Sequence, residues 1–566
     1  MSTAAESAEH GRRRLLGGDF AGAQAAFEQA IALQPRVAAH WALLGKSQAM
    51  RAGYHAALDA LGQACKLDPD AAYAHVWLGH ALREHNRADE AVAAFARASV
   101  LEPDNITAAM GAALMTPLVY RDEAEIDRWR DRVAQGLERL ARDAASRPAW
   151  AQSIGRLEWS NFYLAYQGRN DRDLQARYAD LVAQVLDRAM PRTQQPVSAR
   201  AHRGRIRVAF VSSNLRRHTV TDYFGSWMTD LPRADFHVAL YHAGAVLDQR
   251  TQALRANADS FEHVPDEPMR LADVLRAAQP DIIVYPDVGM SPLDSLLANL
   301  RLAPIQVAAW GHPVTTGSRH IDAYLSCAVM EPPDAQAHYT EKLLLLPGIG
   351  VRYSAHAATG TRERSHFHLP QDARVYVCPQ SLFKVHPATD ALFTEVLARD
   401  EKAVLVFIAA AAKGQTDAFI ARLTTAMRRH GVAMRNQLKL LPSLPRASFL
   451  ELLAACDVML DPMHWSGGNT ALDAISVGLP IVTLRGAHMR GRQSAGMLDV
   501  LGLSDLLVAA DESDYVGKAL RIAGNGGYRD ALSAQMRRAS PLLFDRAEPV
   551  AAFAAALTDL CDRGVG

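Results

Sequence analysis

The chain has 566 residues, of which 49% are hydrophobic and 22% are charged, an ordinary balance for a globular protein of roughly three or four domains. Its 61 basic and 61 acidic residues cancel, which argues against nucleic acid or a membrane surface as a partner. The five cysteines are scattered without metal-ligand spacing, and the start, MSTAAESAEHGRRRLLGG, lacks an apolar stretch of signal-peptide length. With no apolar run of membrane length anywhere, these features predict a cytoplasmic protein.

The first third of the chain repeats with a period of 34 residues. Each unit contains two helical segments, such as HWALLGKSQAMRAG and YHAALDALGQACKLDPD, and a proline ends the second segment. The repeated columns are Gly11, Gly45 and Gly79; Phe27, Leu61 and Phe95; Ala30, Ala64 and Ala98; and Pro35, Pro69 and Pro103. The pattern resembles the tetratricopeptide repeat, so residues 1–140 are predicted to form an α-solenoid whose concave surface binds peptides. A scaffold without chemistry of its own is the alternative.

Residues 141–204 keep helical patterns but lose the period, which predicts a helical cap and a linker that ends in PRTQQPVSARAHRG. The pattern then changes to short apolar, β-branched runs that alternate with helical segments. These runs are IRVAFVSS, FHVALYH, DIIVYP and IQVAAWG, then RVYVCPQ, AVLVFIA, QLKLLP, DVMLD, PIVTL and LLVA. The alternation predicts two Rossmann-like lobes with parallel sheets, 205–373 and 374–566, the second with a C-terminal helix, facing each other across a cleft.

Four polar loops follow predicted strands and therefore fall at the cleft, because such folds bind ligands at the carboxyl ends of their strands. The loops are SSNLRRHTVTDYF, GHPVTTGS, PQSLFKVHP and SGGNTALD. Neither GxxxxGK[ST] nor a GxGxxG after a strand is present, which argues against P-loop and dinucleotide sites. The D-x-D from Asp171 to Asp173 lies in a charged helical stretch that predicts a solvated face, and no D-x-D stands at the end of a predicted strand, so we expect no metal site.

The loop SGGNTALD has the composition of a phosphate-binding turn. Gly467 and Gly468 permit close backbone approach, and a helix start at Asn469–Thr470 favours an anion. Lys384 follows a strand by a short loop, where an ammonium could meet a diphosphate, although a surface lysine is the alternative. Asp473 lies three residues into the helix and could accept ribose hydroxyls, or be an acid that the helix dipole favours. These residues predict a nucleoside diphosphate site.

His218, in NLRRHTVTD, follows the first strand of the other lobe and is predicted to face the cleft. An imidazole near neutral pH is a natural group to take or orient a proton, so an ionisation near neutrality is expected from it. A capping or surface histidine is the alternative.

Together these stretches resemble the O-GlcNAc transferases, inverting glycosyltransferases in which tetratricopeptide repeats precede a two-lobed GT-B catalytic region. The resemblance covers nearly the whole chain and is typical of a bacterial homologue. It rests on IRVAFVSSNLRRHTVTDYF, APIQVAAWGHPVTTGSRHIDAYLSC, YTEKLLLLP, QSLFKVHP and DPMHWSGGNTALDAISVGLPIVTLRG. It implies transfer of GlcNAc from UDP-GlcNAc to Ser/Thr hydroxyls of proteins that the repeat groove binds, without a metal or a further cofactor.

The same resemblance implies roles for individual residues. His218 is the implied catalytic base, and Lys384 is implied to bind the diphosphate and stabilise the leaving group. The other residues implied at the UDP-sugar site are Gln380, Ser381, Leu444, Pro445, Arg446, Phe449, Leu452, Gly467, Gly468, Asn469, Thr470, Asp473, Thr315, Thr316 and Gly317.

The donor loop departs from the family pattern, because Gly468 and Asn469 stand where the family carries histidine and threonine. Phe449, Arg446 and Ser381 likewise replace a histidine, a lysine and a glutamine. The helix start and the ribose acid are kept. Three readings stay open: an O-GlcNAc transferase, a related transferase with another donor or an Asn acceptor, and a repeat scaffold whose lobes only bind nucleotide. The sequence does not predict the oligomeric state.

Overall fold

The computed structural model describes residues 3–198, 204–356, 360, 363–432 and 437–563. A helical solenoid at the N-terminus is followed by two lobes, each built on a parallel sheet flanked by helices. The predicted fold class, an α-solenoid followed by two Rossmann-like lobes, is confirmed. Part of the predicted linker, residues 199–203, lies outside the described residues.

The solenoid consists of antiparallel helix pairs that follow the 34-residue period. Its helices are α1 (Ala4–Leu16), α2 (Phe20–Leu33), α3 (Ala38–Met50), α4 (Tyr54–Leu67), α5 (Ala72–Glu84), α6 (Ala88–Leu101), α7 (Ile106–Leu114) and α8 (Glu123–Ser146). A Cβ on Gly45 would come within 2.5 Å of Leu61, and one on Gly79 within 2.5 Å of Phe95. The glycine column therefore exists because the large residue of the second helix packs against the backbone of the first. The predicted boundary at residue 140 falls inside α8.

The cap between the solenoid and the lobes is only partly α-helical. It contains α9 (Trp150–Ser153), α10 (Arg172–Ala189) and 3₁₀ turns at Ile154–Arg156, Phe162–Gln167 and Pro191–Gln194. Asp171 is buried and forms ion pairs with Arg130 (2.7 Å) and Arg490 (3.0 Å). The solvated face predicted for this residue is therefore wrong, because its carboxylate joins the solenoid, the cap and the C-terminal lobe.

The N-terminal lobe has a seven-stranded parallel sheet in the order β3-β2-β1-β4-β5-β6-β7. The elements are β1 (Ile206–Ser212), α11 (Thr219–Asp230), β2 (Phe236–His242), α12 (Gln249–Asn257), β3 (Ser260–His263), α13 (Pro268–Ala278), β4 (Ile282–Tyr285), α14 (Pro292–Ala298), β5 (Ile305–Ala309), β6 (Ala323–Cys327) and β7 (Lys342–Leu346), with a 3₁₀ turn at Ala335–His338. The strands β3, β6 and β7 were not predicted from the sequence. Two of them are edge strands, and a leucine run such as that of β7 has no strand-like alternation.

The C-terminal lobe has a six-stranded parallel sheet in the order β10-β9-β8-β11-β12-β13, and all six strands were predicted. Its elements are β8 (Arg374–Cys378), α15 (Thr389–Arg399), β9 (Ala403–Ile408), α16 (Lys413–Arg429), β10 (Leu438–Leu441), α17 (Arg446–Ala455), β11 (Val458–Leu460), α18 (Asn469–Val477), β12 (Ile481–Leu484), α19 (Gln493–Val500), α20 (Ser504–Leu507), β13 (Val508–Ala509), α21 (Glu512–Gly524) and α22 (Gly526–Ala539), with 3₁₀ turns at Arg364–Phe367, Leu382–Lys384, Met489–Gly491 and Ser540–Leu542. The order of the strands reverses between β8 and β11, which is where such sheets bind ligands.

The last helix, α23 (Glu548–Arg563), returns to the N-terminal lobe. Phe553 stacks on Trp227 of α11 with ring centroids 4.0 Å apart and planes 9° apart. The sequence analysis assigns this helix to the C-terminal lobe, but its buried aromatic contact places it on the other one. The chain therefore crosses between the lobes twice.

Candidate functional site

The lobes meet at the carboxyl ends of their strands, around a cavity of about 160 Å³. Helix α11 and the loop after β5 form one wall, and the loops after β8 and before α18 form the other. The lining residues are Thr219, Val220, Tyr223, Phe224, Trp310, Gly311, Pro313, Gln380, Lys384, Trp465, Gly468, Asn469, Thr470 and Gln493. A larger cavity, of about 1000 Å³, lies between α6–α8 and α15–α16 and contains none of the predicted site residues.

Buried side chains hold the loop before α18 in place. Asp461 accepts hydrogen bonds from the Gly467 amide and the Thr483 hydroxyl, both at 2.8 Å. Burial raises the pKa of Asp461 to about 7. A Cβ on Gly467 would lie 2.8 Å from Thr470 Oγ1 and 3.0 Å from Gln380 Nε2, so only glycine fits there. The Gln380 amide donates to the Thr470 hydroxyl at 2.6 Å, which ties the two predicted donor loops together.

Helix α18 begins at Asn469, as the sequence predicts. The first N–H groups of a helix have no acceptor within it and carry the positive end of its dipole. The Asn469 side-chain Nδ2 is buried and has no hydrogen-bond partner among the described residues. This helix start therefore presents unpaired donors to the cleft, which is the chemistry that an anion requires.

Lys384 ends the 3₁₀ turn after β8 and lines the same cavity. Its Nζ lies 5.2 Å from the centroid of the Trp465 ring and 5.9 Å from that of Phe383. Within the described residues no carboxylate is in ion-pair distance of it. Burial lowers the pKa of Lys384 to about 8. An ammonium group in this position has lost water without gaining a counter-ion, so it is suited to bind an anionic ligand.

Arg446, the first residue of α17, forms an ion pair with Asp473 in the middle of α18. The guanidinium is 2.6 Å from Asp473 Oδ1, and it also contacts Asp222 of α11 and the Tyr353 hydroxyl, both at 3.3 Å. Burial raises the pKa of Asp473 to about 6, and the nearby Arg446 opposes that rise. The predicted ribose acceptor is thus held by an arginine that reaches across the cleft.

Several predicted donor residues do not line the cavity. Leu452 is fully buried in the lobe core, and Leu444 and Phe449 pack against that core. Pro445 precedes the start of α17, and the exposed Ser381 precedes the lysine turn, where its carbonyl accepts the Lys384 amide at 2.8 Å. These residues form the part of the lobe that surrounds the site, and their contact with a donor stays a prediction.

The segment from Thr315 to Gly317 makes other contacts than those predicted. The Thr315 hydroxyl donates to Glu341 at 2.5 Å, and the Thr316 amide donates to the same carboxylate at 2.8 Å. A Cβ on Gly317, whose φ is +72°, would come within 2.3 Å of the Gln175 backbone in α10. This segment therefore docks the N-terminal lobe on the cap, and it does not line the cavity beside Lys384.

His218 caps α11, and its Nδ1 accepts the Val220 amide at 3.3 Å. Its neighbour Thr219 lines the cavity, whereas His218 lies just outside the lining. Burial and the nearby Arg216 lower the pKa of His218 to about 4. The ionisation near neutrality that the sequence predicts for this residue is therefore wrong. The hydrogen bond assigns the unprotonated nitrogen to Nδ1 and the proton to Nε2.

Two residues that the sequence analysis did not single out carry unpaired polar atoms here. His312, in the loop after β5, is fully buried, stacks on Phe162 at 4.9 Å, and has no partner for Nε2 within the described chain. Burial, with Arg490 and Lys384 nearby, lowers its pKa to about 3. The Tyr223 hydroxyl is likewise buried and unpaired. A histidine in GHPVTTGS could have been noticed, but a tyrosine at a helical core position gives no local signal.

The cap inserts aromatic side chains between the lobes beside the lysine. Tyr166 lies 4.3 Å from Trp465 and 4.8 Å from Phe383, measured between ring centroids. Tyr163 of the same turn donates its hydroxyl to Glu84 of α5 at 3.2 Å. The solenoid thus contacts the cap turn whose tyrosines pack on Phe383 and Trp465.

Among the described residues, no three or more His, Cys, Asp or Glu side chains are placed to hold a metal ion. None of the described helices has the length and hydropathy needed to cross a bilayer. All five cysteines are free.

Comparison with known proteins connects this geometry to a family. Residues 351–551 match the model of glycosyl transferase family 41. The Arabidopsis thaliana protein named probable UDP-N-acetylglucosamine–peptide N-acetylglucosaminyltransferase SEC is 23% identical over 363 residues, which is 62% of this chain and 36% of that protein. The UDP-glucose:protein N-beta-glucosyltransferase of Actinobacillus pleuropneumoniae serotype 7 is 28% identical over 253 residues, covering 43% of this chain and 38% of that protein. The chain thus spans less than two fifths of each relative.

The fold matches along its full length. A mutant of the Thermobaculum terrenum O-GlcNAc transferase superposes with a TM-score of 0.74 and 24% identity, covering 100% of this chain and 98% of that one. Residues 351–551 are therefore similar to the glycosyl transferase family 41 domain, and the overall fold is the one seen in a bacterial O-GlcNAc transferase.

Proposed function

We propose that this protein is an inverting glycosyltransferase that moves a sugar from a UDP-sugar to a side chain of a protein. The observation that carries the proposal is Lys384, a partly buried lysine that has no carboxylate in ion-pair distance among the described residues and shares a cavity with the unpaired start of α18. A diphosphate would supply the missing charge to both. No metal or additional cofactor is needed for that neutralisation, because one ammonium and a set of amide donors can hold it.

On the donor side, Lys384 stabilises the charge that develops on the leaving diphosphate. The Thr470 hydroxyl and the Asn469 amide group face the same cavity and complete the phosphate contacts. Asp473 accepts the ribose hydroxyls, and the ion pair with Arg446 holds its carboxylate ionised and in place. Such fixed donors act without reorganising during the reaction, which is how enzymes stabilise developing charge.

On the acceptor side, His218 begins the helix that lines the opposite wall. Its low pKa keeps the imidazole neutral at pH 7, which is the form that can take a proton from an attacking group. We assign it the role of base. In this role the imidazole ring rotates and releases the hydrogen bond that Nδ1 accepts from the Val220 amide. Attack from this wall, with the diphosphate leaving on the other, inverts the anomeric centre.

The lead donor is UDP-GlcNAc and the lead acceptor a Ser or Thr hydroxyl, as the SEC relative's name describes for that protein. Transfer of glucose to an Asn amide is the second candidate. The likeness to an N-beta-glucosyltransferase favours it. We further propose that the solenoid binds the polypeptide acceptor, since the cap joins the solenoid to the cleft. We also propose that the protein is cytoplasmic, as its five free cysteines suggest.

Calorimetry with UDP, UDP-GlcNAc and UDP-glucose tests the site, followed by mass spectrometry of Ser/Thr and Asn peptides after incubation. We expect nucleotide binding that Lys384→Met weakens by about 1.5–3 kcal/mol, the range for a hydrogen bond to a charged group. Lys413→Met, which removes an exposed lysine of α16, serves as the control. Binding of all three nucleotides without transfer or hydrolysis would favour the scaffold reading, and no binding at all would refute the proposal.

A further inference from the structure

Beside Gly468, polar side chains from both lobes converge on one small space. A Cβ built on Gly468 would lie 3.1 Å from Gln493 Oε1 and 3.7 Å from the Tyr223 hydroxyl. Tyr223 belongs to α11 of the N-terminal lobe, and Gln493 is the first residue of α19 in the C-terminal lobe. All three residues line the cavity that contains Lys384. The glycine leaves open a space that any other residue would fill.

The polar groups around this space are buried and do not form hydrogen bonds with one another. Tyr223 is 6% exposed, and its hydroxyl has no hydrogen-bond partner within the described chain. The neighbouring Asn469 Nδ2 is in the same state. Buried polar groups in proteins are normally paired, so two unpaired donors facing one cavity indicate a ligand with oxygen acceptors.

The Tyr223 hydroxyl is held in position and stays protonated. Its ring packs against Tyr353 and Trp310, with centroids 5.5 Å and 6.5 Å away. Burial, with Asp473 nearby, raises the pKa of Tyr223 well above its usual value. The phenol is therefore a fixed hydrogen-bond donor at any working pH, and Gln493 Oε1 is an acceptor on the other side of the same space.

We propose that Tyr223 and Gln493 form a sugar-reading subsite beside Gly468, which binds a hydroxyl of the donor hexose and sets the donor preference. A hydroxyl matches the pair because it accepts from the phenol and donates to the amide oxygen. The inference rests on the proposed UDP-sugar site: with the diphosphate at Lys384 and the start of α18, the sugar extends toward α11. A site that bonds a substrate hydroxyl discriminates strongly against donors that lack it.

Tyr223→Phe in the full chain tests this subsite, because phenylalanine keeps the ring contacts and removes only the oxygen. Hydrolysis of UDP-glucose, UDP-galactose and UDP-GlcNAc by parent and variant gives kcat/KM for each donor. We expect kcat/KM for the preferred donor to fall about tenfold, the ratios among the three donors to approach one, and the Kd for UDP to stay unchanged. Tyr285→Phe is the matched control, since it removes a buried hydroxyl bonded to the Leu297 carbonyl in the lobe core.

Gly468→Ala gives a second test that does not depend on the Tyr223 variant folding. Its methyl group would enter the proposed hydroxyl position, where the nearest atom is the end of a flexible glutamine side chain. We expect hydrolysis of the preferred donor to fall while UDP still binds. Donor ratios like those of the parent in both variants would overturn the subsite and leave the proposed function standing. A loss of UDP affinity as large as the loss of hydrolysis would do the same. A parent protein that binds UDP but hydrolyses and transfers none of the sugars would overturn both.

Discussion

Two cations of the C-terminal lobe, one buried and one partly buried, show how a structural site differs from a functional one. Arg422 lies at the interface with the solenoid, where it forms ion-pair contacts with Asp390 at 2.8 and 3.0 Å and donates to the carbonyls of Tyr120 and Val385. Lys384, in the cleft, has only aromatic rings around its ammonium and no carboxylate in reach among the described residues. The important difference between the two cations is the missing partner, because a desolvated charge without compensation persists where a ligand supplies that compensation.

The largest effect is expected at His218, on the wall opposite Lys384. His218→Ala should reduce transfer about 10²- to 10⁴-fold, the usual contribution of a general base, and should leave UDP affinity unchanged. Because the pKa of His218 is lowered to about 4, we expect no inflection from this residue between pH 5 and 8 in the rate profile of the parent. Transfer assays and calorimetry on the same preparation check both points. A fully active, folded variant would show that another group, such as His312, takes the proton.

Arg422→Met should act on stability alone. It leaves the Asp390 carboxylate buried without its partner, which typically destabilises a fold by about 3–5 kcal/mol. Denaturant unfolding measures the loss, and calorimetry below the transition should give a Kd for UDP close to that of the parent. Lys384→Met should show the reverse, with an unchanged or higher Tm and weaker nucleotide binding. If Lys384→Met were the less stable of the two, the contrast between the cations would be wrong.

The loss of UDP-sugar affinity at alkaline pH should follow the deprotonation of Lys384. Because burial lowers its pKa to about 8, the free protein loses the ammonium charge as the pH rises through that value, and UDP-sugar affinity should decline above it. Lys384→Arg keeps the charge over this range and should abolish the decline. Titration calorimetry between pH 7 and 9.5 measures the effect. An identical decline in the arginine variant would assign it to another group.

A smaller effect is expected on the acid side from Asp473. Its pKa is raised to about 6, so protonation below that pH removes the acceptor of the ribose hydroxyls and should weaken binding several-fold. The ligand for this measurement is a UDP-sugar, because the terminal phosphate of UDP itself titrates near pH 6. Asp473→Asn should bind the UDP-sugar weakly at every pH, without a further fall in affinity below pH 6. If affinity still falls at acid pH in this variant, the fall does not come from Asp473.

Local sequence patterns predict the parts of this molecule that depend on local chemistry. The 34-residue columns predict helix pairs, the β-branched runs predict ten of the thirteen strands, and SGGNT predicts a helix that begins at Asn469. The placement of Lys384 after β8 follows from the same logic. These features need only the residues next to them in the chain.

Pairings between distant elements could not be predicted in this way. The Arg446–Asp473 ion pair joins two helices, Thr315 and Thr316 bind Glu341, and α23 packs on the lobe that precedes it. Each depends on which elements become neighbours in the fold, and no residue spacing encodes that. The unpaired Tyr223 hydroxyl belongs to the same class, since its ring has the helical spacing of an ordinary core residue.

The pKa of the Lys384 ammonium, followed by NMR with and without a UDP-sugar, tests the central claim most directly. We expect a value near 8 in the free protein and a clear rise when the nucleotide binds, because the diphosphate supplies the missing counter-charge. The exposed Lys413 should titrate alike in both states. A Lys384 pKa that does not change when UDP-sugar binds would show that the diphosphate lies elsewhere and would contradict this account of the site.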